Sequence, residues 1–545
     1  MSEQKPLSSL SRRNFLQTSL IGTAALLPTV AARAPASATA DTAPTSFELN
    51  ELTLDDLQVR MSLGKLSSRS LVEKYLARID AVDKHGPTVN SVIEINPDAL
   101  SIADALDRER KEKGTRTPLH GIPVLIKDNI DTADRMMTTA GSLALVSPAP
   151  AQDSTVAKKL RDAGAVILGK TNLSEWANIR SSHSTSGWSG RGGLTRNPYA
   201  LDRNACGSSS GSAASVTANF CGLAVGTETD GSVVCPASVS GIVGIKPTLG
   251  LISRAGIIPI AHSQDTAGPM ARTVAEAAVL LTVLAGPDPR DPESSASEGR
   301  VPRDFTRSLD PSGLRGARLG VARKYMGFND AVDRLMEDAV AELKRQGATV
   351  IDPADLPSHG KFDDTEFTVL LYETKADLNA YLATRPGAPV RSLEEIIAFN
   401  EHTKDKEMPY FGQDVFLKAQ AKGPLTEKEY LDALQANHRL SRQEGIDAVM
   451  DQNHLDALIA PTQGPAWLTD LINGDHAPGG CSNAAAVAGY PHITVPAGFI
   501  DGLPVGLSFF GRAWSEPVLL KLAYSFEQAS RIRKPPQFLA SIRIP

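Results

Sequence analysis

The first regular feature of the chain is a pair of amphipathic segments, Thr53 to Ser62 and Ser68 to Val82. We predict a helix over each, because Thr53 and Ser68 are favoured N-terminal capping residues. Gly64 and Gly86 follow as stop signals. The apolar stripe of the second helix, spaced for one helical face, consists of Leu71, Tyr75, Ile79 and Val82.

Further along, short apolar runs alternate with longer helical patterns. Ile122 to Ile126 and Val166 to Leu168 have the length and composition of buried strands. Thr155 to Ala163 and Val274 to Leu284 have the spacing of helices. This alternation predicts layers of helices against a sheet, which is the α/β class.

The second half of the chain begins with a polar connection. Residues 286–312, rich in Pro, Asp, Ser, Gly and Arg, indicate a surface segment, and residues 330–450 are charged with mostly helical spacing. Apolar runs return at Ala484 to Ile500 and at Val505 to Phe510. We therefore expect the two ends of the chain to share one core.

Composition narrows the class of protein. The chain has 545 residues, of which 41% are hydrophobic and 22% charged, and this is enough for a large core. Its formal net charge is -6 and it has no long run of Lys and Arg, so we expect no nucleic-acid partner. The 43 Gly and 36 Pro are scattered between apolar runs, which indicates a loop-rich globular protein.

The N-terminus has the pattern of an export signal. Ser11 to Leu16 reads SRRNFL, a twin-arginine pattern, and an apolar stretch follows from Leu20 to Val30. We predict that residues 1–40 are this signal and that the mature chain starts between residues 35 and 46. The apolar stretch is shorter than the roughly 20 residues of a membrane span. We expect export to the periplasm or the medium, with no stable membrane insertion after signal removal.

The chain has four cysteines, Cys206, Cys221, Cys235 and Cys481, with no C-x-x-C pair and no metal-ligand spacing. The twin-arginine route carries chains that have already folded in the cytosol. We therefore interpret all four as small buried hydrophobes rather than as disulfide partners, and we predict no metal site.

A short motif suggests nucleotide binding, but its surroundings do not support it. Gly164 to Thr171 reads GAVILGKT and satisfies the Walker A expression. In a phosphate-binding loop, backbone N–H groups wrap the anion after the strand has ended, whereas the four middle residues here are the predicted strand itself. We therefore expect no nucleotide site at Lys170.

A second motif suggests an α/β-hydrolase. Gly207 to Gly211 reads GSSSG and satisfies the nucleophile-elbow expression, with Ser209 as the nucleophile. That elbow must follow a buried strand. Residues 197–205 include Pro198 and Asp202 and do not have the composition of one, so we do not assign the nucleophile to Ser209.

Residues 206–250 are rich in small residues, which cluster at Gly207 to Ser212 and again at Gly226 to Ser232. Small residues let backbone N–H groups converge, and converging N–H donors are what an oxyanion hole requires. The same residues also form ordinary tight turns. The stretch alone leaves both interpretations open.

Several separated motifs together resemble the amidase signature family. Cys206 to Ser212 (CGSSSGS), Gly226 to Ser232 (GTETDGS) and Lys246 to Thr248 (KPT) are similar to the family pattern G-G-S-S-G-G-S, G-T-D-T-G-G-S and K-P-T. Upstream, Gly121 to Asp128 resembles the strand that carries the family's lysine. The other similar segments are Gly169 to Glu175, Ala488 to Gly498 and Gly502 to Gly506.

The resemblance implies one domain over residues 48–540, with an α/β/α fold around a large mixed sheet covered by helices. It also implies a serine hydrolase that cleaves carboxamide C–N bonds through an acyl-enzyme. Ser232 matches the acyl-forming serine, Ser208 the bridging serine usually held by a cis peptide bond, and Lys127 the base. The implied oxyanion-hole donors are the main-chain N–H groups of Thr229, Asp230, Gly231 and Ser232.

Two residues depart from the broad family pattern, namely Glu228 and Asp230, which replace aspartate and glycine. A carboxylate aimed at an oxyanion would oppose it, so we expect Asp230 to point toward the leaving nitrogen or a structural donor. The strings Thr227 to Pro236, Ser174 to Asn178 and Ser263 to Arg272 resemble the peptide amidase branch, whose members release ammonia from C-terminal peptide amides.

The expected substrate is therefore a small-molecule or peptide amide, with a C-terminal peptide amide favoured, and no cofactor is implied. Other possibilities are a broad aliphatic or aryl amidase and the glutaminase step of a tRNA amidotransferase. An export signal disfavours the latter, because charged tRNA is cytosolic. A non-catalytic binding protein on the same scaffold is a further class, disfavoured because all three catalytic positions are intact.

Overall fold

A single mixed sheet forms the centre of the protein in a computed structural model, which describes residues 47–542. The strands are β1 Val92–Ile95, β2 Pro123–Lys127, β3 Val166–Thr171, β4 Trp188–Ser189, β5 Gly193–Leu194, β6 Leu223–Glu228, β7 Val243–Lys246, β8 Thr266–Ala271, β9 Arg318–Val321, β10 Thr349–Ile351, β11 Ala457–Pro461, β12 His492–Ile500 and β13 Leu503–Phe510. The small pair β4–β5 lies outside the central sheet.

Sixteen α-helices accompany these strands within residues 47–542. They are α1 Leu54–Ser62, α2 Ser68–Arg78, α3 Ala99–Lys113, α4 Thr155–Asp162, α5 Ser210–Thr217, α6 Val234–Val239, α7 Val274–Leu284, α8 Asp330–Arg345, α9 Asp363–Ala383, α10 Leu393–His402, α11 Lys404–Glu407, α12 Asp414–Gln420, α13 Lys428–His438, α14 Asp447–Asn453, α15 Asn483–Ala488 and α16 Glu516–Ser530.

The order of strands across the sheet is β1-β3-β2-β6-β8-β7-β12-β13-β11-β9-β10. The neighbours β3-β2-β6 and β11-β9-β10 run parallel, and the remaining pairs are antiparallel. Every residue of β2, β3 and β6 is buried, which requires helices on both faces of the sheet. The α/β class, the mixed sheet and its cover of helices are therefore as predicted.

The two ends of the chain share this sheet, as the returning apolar runs predict. The hairpin of β12 and β13 lies in its middle, and β12 pairs directly with β7 through His492 opposite Lys246. Helices α8 to α14 fill most of residues 330–450. The connection over residues 286–312 is more deeply anchored than its polar composition indicates, because Phe305 is 1% exposed and joins the main core.

The predicted helix boundaries near the N-terminus are correct to within a few residues. Thr53 caps α1 and forms a capping box with Asp56. The cap of α2 is Ser67 rather than Ser68, because the Ser67 hydroxyl accepts from the N–H of Ser70. The α-helix ends at Arg78, and the apolar stripe continues along a π-helix, Ile79–Lys84.

The Walker A match lies inside a strand. Lys170 is fully buried in β3, and its Nζ donates to the carbonyl of Ile130 at 2.6 Å and to Thr138 Oγ1 at 2.9 Å. Lys170 is therefore hydrogen-bonded within the core. Its position inside a strand is not that of a lysine in a phosphate-binding loop.

The predicted export signal lies outside the described residues. Between residues 47 and 542, no helix is both long and apolar enough to cross a membrane.

Candidate functional site

Three candidate catalytic residues lie at the ends of adjacent elements. Lys127 is the last residue of β2, and β2 runs parallel to β6, so that both strands end at the same edge of the sheet. Ser232 follows β6, and Ser208 precedes α5. The N–H of Ser209 donates to the carbonyl of Ser232 at 3.1 Å, which joins the two serine loops directly.

Lys127 has no exposed surface, and its Nζ has three close partners. Nζ lies 2.7 Å from Ser208 Oγ, 3.2 Å from the carbonyl oxygen of Thr227 and 2.9 Å from Thr227 Oγ1. Burial lowers the pKa of Lys127 to about 7, because desolvation penalises the ammonium form more than Asp265 and Glu228 stabilise it. A large part of the population is therefore a neutral amine near neutral pH.

The loop before α5 presents Ser208 through tight backbone packing. The Gly207–Ser208 peptide bond is cis, and the carbonyl of Ser208 accepts from the N–H of Ser174 at 3.1 Å. A β-carbon on Gly207 would lie 2.1 Å from Ser174 Oγ, so a larger residue would displace this hydroxyl, which accepts from the N–H of Gly187 at 2.9 Å. Ser174 belongs to the Ser174 to Asn178 string, and its role in holding this loop was missed by sequence reasoning.

Ser209 has a structural place beside Ser208. Its hydroxyl donates to the carbonyl of Thr227 at 3.0 Å and accepts from the N–H of the same residue at 3.1 Å. Ser209 is fully buried. The hydroxyl of Ser209 thus both donates a hydrogen bond to β6 and accepts one from it. This disfavours the nucleophile-elbow interpretation.

The turn that carries Ser232 is held by Glu228. Its carboxylate accepts from the N–H groups of Val233 at 2.7 Å and Val234 at 3.0 Å, at the start of α6. Gly231 has φ +75°, and a β-carbon there would approach Ser482 Oγ to 3.0 Å. Ser232 is 8% exposed, whereas Lys127 and Ser208 are fully buried, so the turn offers the outermost of the three groups.

Asp230 has one oxygen without a partner. Burial raises the pKa of its carboxyl to about 6, opposed by a hydrogen bond from Ser482. Within residues 47–542, Oδ1 of Asp230 is buried and makes no hydrogen bond. The expectation that Asp230 points toward the leaving nitrogen or a structural donor stays a prediction, and its buried Oδ1 is free to accept a hydrogen bond.

A second loop supports the turn of residues 229–232 from outside. Thr229 Oγ1 donates to Asp265 Oδ1 at 2.5 Å, and Asp265 Oδ2 accepts from the N–H groups of Ile260 and Ala261 at 2.8 and 3.0 Å. Gln264 Nε2 donates to the carbonyl of Thr229 at 3.4 Å. Sequence reasoning used the string Ser263 to Arg272 only as a branch marker and missed these contacts, because they depend on β8 lying beside β6.

A cavity of about 460 Å³ opens beside this turn. Thr227, Thr229 and Asn129 form its inner wall, and Asn129 Nδ2 donates to Thr227 Oγ1 at 2.9 Å. The outer wall combines apolar and charged side chains. These include Ile257, Ile258, Pro259, Ile260, Arg254, His262 and Asp377. The volume falls in the range of pockets that bind small organic ligands.

The prediction for the cysteines is wrong for two of the four. Cys206 and Cys235 form a disulfide with their Cα atoms 6.1 Å apart. They are distant in the sequence, but the two serine loops meet at the edge of the sheet. Cys221 and Cys481 are free and buried, as expected, and burial raises the pKa of each thiol to about 12.

Comparison with known proteins defines the class of this chain. A family model described as Amidase matches residues 70–520. The protein is therefore an amidase, a hydrolase that cleaves carboxamide C–N bonds. It belongs to the amidase family.

Individual relatives cover almost the whole chain. A probable amidase of Arabidopsis thaliana is 45% identical over 504 residues, covering 91% of this chain and 93% of the relative. The structure of the native peptide amidase from Stenotrophomonas maltophilia is similar with a TM-score of 0.86 at 52% identity, covering 90% of this chain and all of that one. A peptide amidase in complex with the competitive inhibitor chymostatin has a TM-score of 0.88 at 53% identity with the same coverage.

Proposed function

We propose that the protein hydrolyses carboxamides with Ser232 as the nucleophile, Ser208 as the proton relay and Lys127 as the base. The contact of 2.7 Å between Lys127 Nζ and Ser208 Oγ, in a fully buried site, carries the proposal. A neutral amine has two N–H donors and one lone pair. The carbonyl and hydroxyl oxygens of Thr227 can accept both N–H groups, which leaves the lone pair for the hydroxyl proton of Ser208.

The reaction then proceeds by proton transfer along this path. Ser232 Oγ attacks the carbonyl carbon while its proton passes to Ser208 and the proton of Ser208 passes to Lys127. The oxyanion accepts from main-chain N–H groups of residues 229–232. Collapse of the tetrahedral intermediate returns a proton to the nitrogen and releases ammonia, leaving the acyl group on Ser232. Water hydrolyses this ester with the same base, which regenerates the free serine and the carboxylic acid.

We propose peptides that end in a primary carboxamide as substrates. The similarity to peptide amidases at 52% and 53% identity supports this class. The cavity supports it too, since about 460 Å³ beside the turn can hold an acyl group larger than that of a simple aliphatic amide. A closed pocket for the leaving nitrogen would reject a continuing chain by steric exclusion.

Mass spectrometry of matched peptides tests the substrate. A peptide amide should gain about 1 Da as NH2 is replaced by OH, and its free-acid twin should stay unchanged. The N-methylamide of the same peptide is the control for leaving-group size and should react far more slowly. Cleavage of internal peptide bonds, or faster turnover of acetamide and benzamide than of the peptide amide, would contradict the assignment.

We propose that the protein acts outside the cytosol after twin-arginine export, on the basis of the pattern at residues 11–16. Replacement of Arg12 and Arg13 by lysine should retain the protein in the cytosol with its N-terminus intact. N-terminal sequencing of the exported wild type should start between residues 35 and 46. Equal distribution of both forms between compartments would contradict the proposal.

A further inference from the structure

The Cys206–Cys235 disulfide joins the two loops that carry the candidate catalytic serines. Cys206 lies two residues before Ser208, and Cys235 lies three residues after Ser232. A short covalent path through the sulfur atoms thus connects the proposed relay to the proposed nucleophile. The direct backbone link between the loops is the hydrogen bond from Ser209 N–H to the carbonyl of Ser232.

Each cysteine is tightly coupled to its own loop. The N–H of Cys206 donates to Asn204 Oδ1 at 2.7 Å, and its carbonyl accepts from Ser210 Oγ at 2.5 Å. The N–H of Cys235 donates to the carbonyl of Gly231 at 2.8 Å. A displacement of either sulfur would therefore move the backbone that carries Ser208 and Ser232.

The backbone of Cys206 indicates that this residue is not there as a simple hydrophobe. Its φ is +52°, in the left-handed region that favours glycine, and the amidase signature pattern has glycine at the matching position. A cysteine in this conformation is unfavourable unless its side chain contributes something that glycine lacks. The bond to Cys235 is that contribution.

The pair is also isolated from the other cysteines. Cys206 and Cys235 are 5% and 8% exposed and pack with Val239, Ala466 and Trp467. Cys221 and Cys481 are fully buried elsewhere in the core and make no disulfide. Exchange between the pair and the free thiols is thus disfavoured, and the two free cysteines provide a matched control.

We infer that the Cys206–Cys235 disulfide is a positioning element that holds the relay loop against the nucleophile turn, so that acylation is fast only in the oxidised protein. The inference rests on the proposed roles of Ser208 and Ser232. Reduction by a dithiol breaks the S–S bond, delivers two electrons and two protons to the cysteines and converts the reductant to its cyclic disulfide. Small misplacements of reacting groups cost up to about 10²-fold in rate, so we expect kcat to fall by about 10- to 100-fold with KM little changed.

Proteolysis without reduction tests the pairing itself. Cleavage after Phe220 and Glu228 places Cys206, Cys221 and Cys235 on three different fragments. Chymotrypsin with a glutamate-specific protease should therefore release a disulfide-linked fragment that contains Cys206 and Cys235 and lacks Cys221. Free thiols at all four positions in protein purified without reductant would overturn the inference.

Three double variants test the effect on catalysis. Cys206→Ala with Cys235→Ala removes the bond, and Cys221→Ala with Cys481→Ala removes the same number of cysteines without removing a bond. Cys206→Gly with Cys235→Ala also removes the bond but restores the residue that favours a positive φ. We expect the first and third variants to lose about 10- to 100-fold in kcat and in the rate of labelling by a fluorophosphonate. The second should keep both.

Each measurement is made below the thermal transition of the variant concerned, with far-UV circular dichroism to establish folding. Reduction and reoxidation of the wild type add a reversible readout on one chain. Trp467 fluorescence should rise as activity is lost on reduction and fall as activity returns on reoxidation. Wild-type kcat and labelling rate in the glycine variant would overturn the positioning role. If the wild type itself neither hydrolysed amides nor reacted with the fluorophosphonate, the proposed function would fail instead.

Discussion

Titration of Lys127 should control the rate between acid and neutral pH. Burial lowers the pKa of Lys127 from 10.5 to about 7, a change of about 5 kcal/mol in favour of the neutral amine at about 1.4 kcal/mol per pH unit. About half of the molecules therefore carry a neutral lysine at pH 7, against about one in several thousand for an ordinary lysine. Since only the neutral amine can accept the proton of Ser208, kcat/KM should fall about tenfold per pH unit below this pKa.

The assay is the pH dependence of kcat/KM for a peptide amide between about pH 5 and about pH 9. Lys127→Ala should reduce kcat/KM by about 10³-fold or more at neutral pH and remove the acid limb. A histidine could produce a limb in the same range, and His262 is the matched control. Its pKa is raised by a hydrogen bond to Asp377, and it lines the cavity.

His262→Gln should therefore leave the acid limb in place. His492 should not contribute, because burial lowers its pKa to about 3. Replacement of His183, whose N–H donates to Ser181 Oγ at 3.1 Å and whose Nδ1 lies 3.1 Å from Ser182 Oγ, should likewise keep the limb. If these histidine variants abolished activity or the limb while Lys127→Ala retained both, Lys127 would not be the base.

Three further results are expected. Ser208→Ala should lower kcat by about 10³-fold or more because it interrupts the proton path, whereas Ser209→Ala loses only contacts to Thr227 and should lower kcat far less. Steady-state kinetics of both variants tests this. A larger loss for Ser209→Ala than for Ser208→Ala would favour the nucleophile elbow. Lys127→Met should unfold at a higher temperature than the wild type at pH 7. In the wild type, Lys127 binds a proton readily when the chain is unfolded, and burial in the folded protein disfavours that proton, which lowers the stability of the folded state. This advantage should shrink by about 1.4 kcal/mol per unit from pH 7 toward pH 10, so an equal difference at pH 7 and pH 9 would contradict it. Asp230→Asn should lower kcat/KM for a primary amide more than for the methyl ester of the same peptide, if the free Oδ1 accepts from the leaving nitrogen, and equal losses would argue for a structural role.

The sequence predicts the architecture well because the informative patterns are local. Strand β2 and helix α7 are recognisable from apolar spacing, and the family motifs place Lys127 and Ser208 in the contact that the structure has. The assignment of roles to Lys127, Ser208 and Ser232 remains a prediction for experiment.

What the sequence does not predict depends on contacts between distant segments. The disulfide joins Cys206 and Cys235 only because two loops meet at one edge of the sheet. The support of Thr229 by Asp265 depends in the same way on β8 lying beside β6. Neither contact leaves a spacing or a periodicity that a single sequence reveals.

Identification of the acylated residue tests the central claim most directly. The wild type and Ser232→Ala are treated with a fluorophosphonate, and cleavage after Glu228 separates Ser208 and Ser209 from Ser232 before tandem mass spectrometry. We expect one adduct on Ser232 in the wild type and none in Ser232→Ala, with loss of nearly all turnover in that variant. An adduct on Ser209, or on any residue other than Ser232, would contradict the account.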